Sequence, residues 1–245
     1  MMRPQLQFVT GKGGVGKTYY SLLLQRRNPR FSLAELTQAL AAESEKWKLA
    51  IPPIFRFSQK DLAEAFLKRT LKIGPLSDWI SENKLFQSLL DLAPNLTELL
   101  LLEQWTKFSE ENPLIVDAPS TGHFIALFEA IHGAREIFEA GSLRTIADEL
   151  HEYFDLFPER TEIHIVSLPE HSSLAEGLEI EARIQKLYPK IKIVHVLNRR
   201  HSIPSDLPSL DDPWRSLALK RPLLEEKRIQ GRNFSMIISD GDPIQ

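Results

Sequence analysis

The residues most able to do chemistry lie in one short string near the start of the chain, Gly11-Lys12-Gly13-Gly14-Val15-Gly16-Lys17-Thr18. It satisfies G-x-x-x-x-G-K-[ST], the pattern of a loop that wraps a polyphosphate. Glycines let such a backbone turn its N–H groups inward, forming an anion nest at the start of a helix. Lys17 would bring a point charge to the terminal phosphates, and the Thr18 hydroxyl could ligate Mg²⁺. The chain has 11 glycines, and four of them fall within these six residues from Gly11 to Gly16. A second candidate is Asp117, at the end of the apolar run Leu114-Ile115-Val116. An acidic residue at the C-terminal end of a buried strand is placed to hold Mg²⁺ through water. Taken by itself, Asp117 before Pro119 also reads as a turn former.

These residues need elements to position them. Leu6-Gln7-Phe8-Val9-Thr10 reads as a strand running into the glycine loop, and Tyr19 to Leu24 as a short helix ended by Asn28-Pro29. Further strands are expected at Leu114–Asp117, Ile163–Leu168 and Ile191–Leu197, with one more around Met236-Ile237-Ile238. Helical patterns lie between them, from Ser173 to Tyr188 and from Phe124 to Phe157, the latter broken near Gly141-Ser142. Strands alternating with helices of this length imply crossover units and a mostly parallel sheet flanked by helices, an α/β fold. The stretch from about 58 to 110 holds no strand pattern and reads as a helical insertion before the Asp117 strand. Its last helix, opened by Pro94-Asn95, carries Leu99, Leu100, Leu101 and Leu102 in a row, more apolar surface than one stripe requires. That patch is either a surface for a protein client or core packed on the sheet. No repeat or flexible linker interrupts the chain, so residues 1–245 are expected to form a single domain.

Lys12, inside the free positions of the pattern, gives the loop a second lysine. With Gly13 to Thr18 behind it, the string resembles the deviant Walker A loop of one class of P-loop NTPases. That class includes the arsenical pump-driving ATPases, the tail-anchored-protein targeting ATPases, the Min and Par ATPases and the nitrogenase iron protein. Asp117-Ala118-Pro119-Ser120-Thr121-Gly122-His123 is similar to the switch segment of the arsenite-pump and tail-anchor-targeting branch, and Pro94 to Leu102 looks like a stretch of its bacterial members. Correspondence covers roughly Gln5 to Ser21 and Ser58 to Arg200. The resemblance implies a P-loop NTPase fold that binds ATP and Mg²⁺, with Lys12, Lys17 and Asp117 as catalytic groups. It implies nucleotide contacts from Gly11, Lys12, Gly13, Gly14, Val15, Gly16, Lys17 and Thr18, and metal contacts from Thr18 and Asp117. It also implies a homodimer across the P-loop face, where Lys12 reaches the partner's nucleotide, and a switch role for His123. Asn198, after the strand ending at Leu197, matches the family's adenine-reading Asn, though a strand-ending turn Asn has the same sequence signature.

The chain departs from that family between residues 28 and 57. Phe31 to Thr37 is either the family's second strand or a helix start, and local rules favour the helix. Ser32-x-x-Glu35 is a capping box, and Leu33, Leu36 and Leu40 follow helical spacing. On the strand reading, Thr37 falls where the family places a water-orienting Asp, and Glu35 is the nearest carboxylate. Tyr19 stands where the family usually has a small hydroxyl residue. Two functions therefore stand side by side: a dimeric, Mg-dependent ATPase that couples ATP to a client, and a non-hydrolysing ATP sensor with a degenerate switch. A third, a Min- or Par-like organising ATPase, has neither a C-terminal membrane helix nor a basic patch to support it in Ser239 to Gln245.

Composition excludes other classes. Zero Cys rules out thiolate activation by arsenite, cysteine-held zinc and cysteine nucleophiles. Thirty Lys+Arg against 33 Asp+Glu, a net charge of −3, exerts no bulk pull toward nucleic acid or anionic membrane. Met1 to Gln7 lacks the apolar core of a signal peptide, and no run approaches the roughly 18 apolar residues that span a bilayer. A cytoplasmic location is the expectation.

Overall fold

The structure, a computed structural model, describes residues 4–36, 39–46, 51–57, 62, 66, 96–168 and 170–198, and the backbone of 227–229 and 232–236. Its strands are β1 (Leu6–Thr10), β2 (Ser32–Glu35), β3 (Ile54–Phe55), β4 (Leu114–Asp117), β5 (Thr161–Ser167), β6 (Lys192–Leu197), β7 (Lys227–Ile229) and β8 (Arg232–Met236). They form one sheet in the order β3-β2-β4-β1-β5-β6-β8-β7, parallel throughout except for β7, which runs antiparallel to β8. The fold is therefore α/β with a mostly parallel, helix-flanked sheet. The expected strand at 236–238 lies mainly before Met236, and its β7 partner had no clear sequence signal; residues 237 and 238 fall outside the described residues.

The helices are α1 (Lys17–Arg27), α2 (Ala39–Lys46), α3 (Leu96–Glu111), α4 (Thr121–Ile137), α5 (Ser142–Leu156) and α6 (His171–Leu187). β1 is buried along its whole length, as a central parallel strand covered on both faces must be. Its alternate side chains divide between two cores. Leu6 and Phe8 join the core under α3 to α6, while Val9 joins the core under α1 and α2. Phe8 is ringed by Trp105, Phe124 and Phe128 with centroids 5.7–6.0 Å away in edge-on geometry. On α5 the buried residues Ile146, Ala147, Leu150, Tyr153 and Phe154 follow the period of one helical face. The expected break between α4 and α5 sits at Gly141, whose φ of 99° suits glycine.

One favoured expectation is corrected here, and one open alternative is decided. Residues 32–35 form a strand, not a helix start, because β2 is locked between β3 and β4 with Leu33 and Ala34 fully buried. Parallel pairing on both sides overrides the local capping-box signal. Of the two readings of Leu99 to Leu102, the core reading holds, each leucine being no more than 5% exposed. α3 is enclosed by the sheet, α4 and α5, so this part of the helix is apolar on more than one side. Of the expected insertion, α3, Leu62 and Phe66 belong to the described residues. Leu62 is buried in the same core and Phe66 packs against it.

Candidate functional site

The C-terminal ends of the neighbouring interior strands β1, β2 and β4 come together at one end of the sheet, and the candidate residues lie there. Thr10 ends β1 and its hydroxyl donates to the Pro119 carbonyl at 3.0 Å, tying the start of the loop to the segment after Asp117. The loop then turns through left-handed backbone at Gly11 (φ 141°), Gly14 (φ 80°) and Gly16 (φ 92°). Gly14 and Gly16 flank Val15, the alternation that turns successive N–H groups to one side. Val15 is 1% exposed and sinks into the core under α1, while Lys12, Gly13 and Gly14 face solvent. The loop is thus pinned by one apolar residue and left open around it. Gly16 precedes α1, and its carbonyl accepts the Tyr20 N–H at 3.0 Å.

Lys17 is half-buried in the first turn of α1, and its ammonium donates to the Lys12 carbonyl at 3.1 Å, folding back across the loop. Burial lowers its pKa, and the charges of Asp117 and Glu176 oppose that shift. The Thr18 hydroxyl donates to Asp117 Oδ2 at 2.8 Å, and the Ser21 hydroxyl reaches Asp117 Oδ1 at 3.4 Å. Asp117 is 6% exposed, and burial pushes its carboxyl up to about 6 despite the downward pull of Thr18 and Lys17. Lys17, Thr18, Ser21 and Asp117 therefore form one cluster, as expected for all but Ser21. Ser21 sits one helical turn after Thr18, and that spacing is the signal which could have found it.

Other expected residues stand differently. Glu35, level with Asp117 in the sheet register, is 2% exposed and fully engaged. It accepts the Leu40 N–H at 2.8 Å and two bonds from Arg56, at 2.8 Å from Nε and 2.5 Å from Nη2. Thr37 lies outside the described residues. Tyr19 packs on the core between α1 and α2, where burial raises its phenol pKa and Glu43 adds to the rise. His123 is exposed in the first turn of α4. Lys12 is exposed and lies 3.8 Å from Glu176 of α6, which also accepts a hydrogen bond from Thr121. Glu176 carries no motif and was not foreseen. Asn198 is 4% exposed, and its side-chain amide donates to the Val15 carbonyl at 2.8 Å.

No protein-family model and no curated protein sequence matches the chain. Among solved structures, the crystal structure of a plasmid partition protein from Borrelia burgdorferi is similar at a TM-score of 0.41 and 12% identity. That similarity covers 88% of this chain and 84% of the other. Among the described residues, no group of three or more His, Cys, Asp or Glu side chains is placed to hold a metal, and no helix is long and apolar enough to cross a membrane.

The residues present fit a phosphate and a hard divalent cation. Gly11, Gly14 and Gly16 hold a backbone that other residues rarely adopt, at the N-terminus of an 11-residue helix. Thr18 and Asp117 offer oxygen donors already within hydrogen-bond reach of one another, the donor type that Mg²⁺ prefers. A buried carboxylate whose ionisation is disfavoured by its surroundings is also one that a cation would stabilise.

Proposed function

We propose that the chain is a Mg-dependent ATP-binding P-loop protein that works as a dimeric switch ATPase. The observation that carries this reading is the hydrogen bond from Thr18, in the loop-to-helix turn, to Asp117, at the end of the neighbouring strand β4. Two sequence motifs 99 residues apart meet there in the arrangement a metal–triphosphate site requires. In this reading the N–H groups of the loop from Gly11 to Gly16 hold the phosphates, and the half-buried Lys17 neutralises their terminal charge. Thr18 would ligate Mg²⁺ directly and Asp117 would hold it through water. Bound there, Mg²⁺ would supply charge stabilisation to the phosphoryl group being transferred.

Residues 1–245 are taken as one P-loop domain with an insertion at about 58–110. The dimer would bring the P-loop faces together so that Lys12 serves the partner's site, and the location would be cytoplasmic. A client surface on the insertion would have to lie away from Leu99 to Leu102, which are buried.

A second reading, a sensor that binds ATP without turning it over, is favoured by Glu35. Glu35, the carboxylate level with Asp117 in the sheet register, is committed to Arg56 and to the Leu40 N–H, so it is not free to orient an attacking water. A Min- or Par-like organising role has no specific observation behind it. Phosphate release separates the two main readings. Measured with Mg-ATP, with Mg-free ATP and with Lys17→Ala, the switch ATPase predicts release in the first case alone. Tight Mg-ATP binding by calorimetry, with release no higher than in Lys17→Ala, would select the sensor.

A further inference from the structure

Asn198 is a buried polar side chain whose place the resemblance assigns to base reading, yet its amide is turned into the loop. Its Nδ2 donates to the Val15 carbonyl at 2.8 Å, and its own N–H is fixed to the Ser167 carbonyl at 2.9 Å. A Cβ on Gly16 would overlap that same Nδ2, so the amide is packed against the loop as well as bonded to it. In a trans peptide the C=O and the following N–H point in opposite directions. An amide that draws the Val15 carbonyl toward the end of β6 therefore aims the Gly16 N–H the other way, away from β6.

We propose that Asn198 is a positioning residue for phosphate binding. It fixes the Val15–Gly16 peptide so that the Gly16 N–H faces the phosphate cradle before any ligand arrives. Three features support this role. Gly16 needs its left-handed conformation to make the turn, with φ at 92°, and its carbonyl is already used by the Tyr20 N–H at the start of α1. The turn through Val15 and Gly16 is thus held on both sides of this peptide: by the Val15 side chain in the core, by the Val15 carbonyl on Asn198 and by the following Gly16 carbonyl in the helix. Such preorganisation removes the cost of ordering the loop when the anion binds. The inference rests on the P-loop reading above, and it makes Asn198 act through the loop backbone on the phosphates of any nucleotide.

Inorganic tripolyphosphate, which has no base, is the deciding probe. Its affinity and those of ATP and GTP would be measured for the intact chain, Asn198→Ala and Lys17→Ala. The proposal expects Asn198→Ala to weaken tripolyphosphate roughly tenfold, the scale of one buried hydrogen bond lost from a preorganised loop. It also expects ATP and GTP to weaken by a similar factor. Unchanged tripolyphosphate affinity overturns the proposal, whether or not ATP-over-GTP preference is lost. The P-loop reading itself fails separately, if the intact chain and Lys17→Ala bind tripolyphosphate alike. Should Asn198→Ala not fold, amide NMR of the unmutated chain decides. Tripolyphosphate should shift the Gly16 amide while the Asn198 side-chain amide stays protected from exchange. An Asn198 amide already exchanging freely with solvent before ligand is added would overturn the brace.

Discussion

The Lys12 ammonium lies 3.8 Å from the Glu176 carboxylate of its own chain, with side chains 46% and 27% exposed. Such a pair contributes about 0–1 kcal/mol, because water and salt screen it and two long side chains must be held still. Lys12 is therefore free to leave Glu176 at little cost, as a lysine acting across an interface must be. Lys12→Ala should move the unfolding midpoint by less than about 4 °C. Turnover, by contrast, should fall to background, and specific activity of the unmutated chain should rise with protein concentration. Mixing Lys12→Ala with Asp117→Asn should restore part of the activity, since a hybrid dimer keeps one site with both groups. Concentration-independent activity without complementation would place Lys12 in cis or outside the reaction.

Asp117 gives the site a pH signature of unusual sign. Its folded pKa of about 6 lies above the ordinary 3.8, because burial disfavours the charge. Between those values the folded chain binds more protons than the unfolded one, so stability falls as pH rises through about 4 to 6. The ionised carboxylate then costs on the order of 3 kcal/mol at neutral pH. Asp117→Asn should remove that penalty, raising the unfolding midpoint near pH 7.5 while abolishing Mg-dependent turnover. A variant less stable than the parent at that pH would mean the carboxylate is ionised and well compensated. In the parent, Mg-nucleotide affinity should drop as pH falls below about 6.

His164 works in the opposite direction. It lies in β5, 4% exposed, with the Tyr20 hydroxyl 2.8 Å from Nδ1, and burial lowers its pKa from 6.5 to about 4. Here the unfolded chain binds more protons between those values, so stability is lost as pH falls from about 6.5 to 4. The two groups partly cancel in the parent. His164→Phe should therefore expose the Asp117 dependence, with stability in urea rising from pH 6.5 to pH 4.5 more than in the parent. Parallel pH profiles for the two proteins would remove His164 from the account.

What could be read from sequence divides along physical lines. The glycine loop, β1, β4, β5 and β6 were legible because their signals are local: left-handed glycines and short apolar runs stopped by turns. β2 was not. Ser32-x-x-Glu35 looks like a capping box, but the Glu35 carboxylate accepts the N–H of Leu40, in the first turn of α2, instead of capping a helix at Ser32. The same residue type caps a different helix because β3 and β4 claim the backbone of residues 32–35. Leu99 to Leu102 were ambiguous because a helix enclosed by the sheet and two other helices has the composition of an exposed docking stripe. Asn198 and Glu176 depend on contacts 183 and 164 residues away in sequence, and no local pattern encodes those.

Two glycines of the loop should respond very differently to the same substitution. A Cβ on Gly11 would overlap the Val166 carbonyl oxygen in β5, and its φ of 141° is one that alanine rarely adopts. The obstacle is strand backbone, so it cannot rotate aside. Gly13 has nothing within 4 Å of where its Cβ would stand, and its backbone is not left-handed. Gly11→Ala should cost on the order of 3 kcal/mol from strain and overlap combined, lowering the unfolding midpoint by roughly 10 °C. Gly13→Ala should stay within about 0.5 kcal/mol of the parent. Gly11→Ala should also weaken tripolyphosphate, because the loop can relieve the overlap only by lifting off β5 and taking the nest with it. Equal stability of the two variants would show that Gly11 is not pressed against β5. The close approach of loop to strand would then have no part in shaping the phosphate cradle.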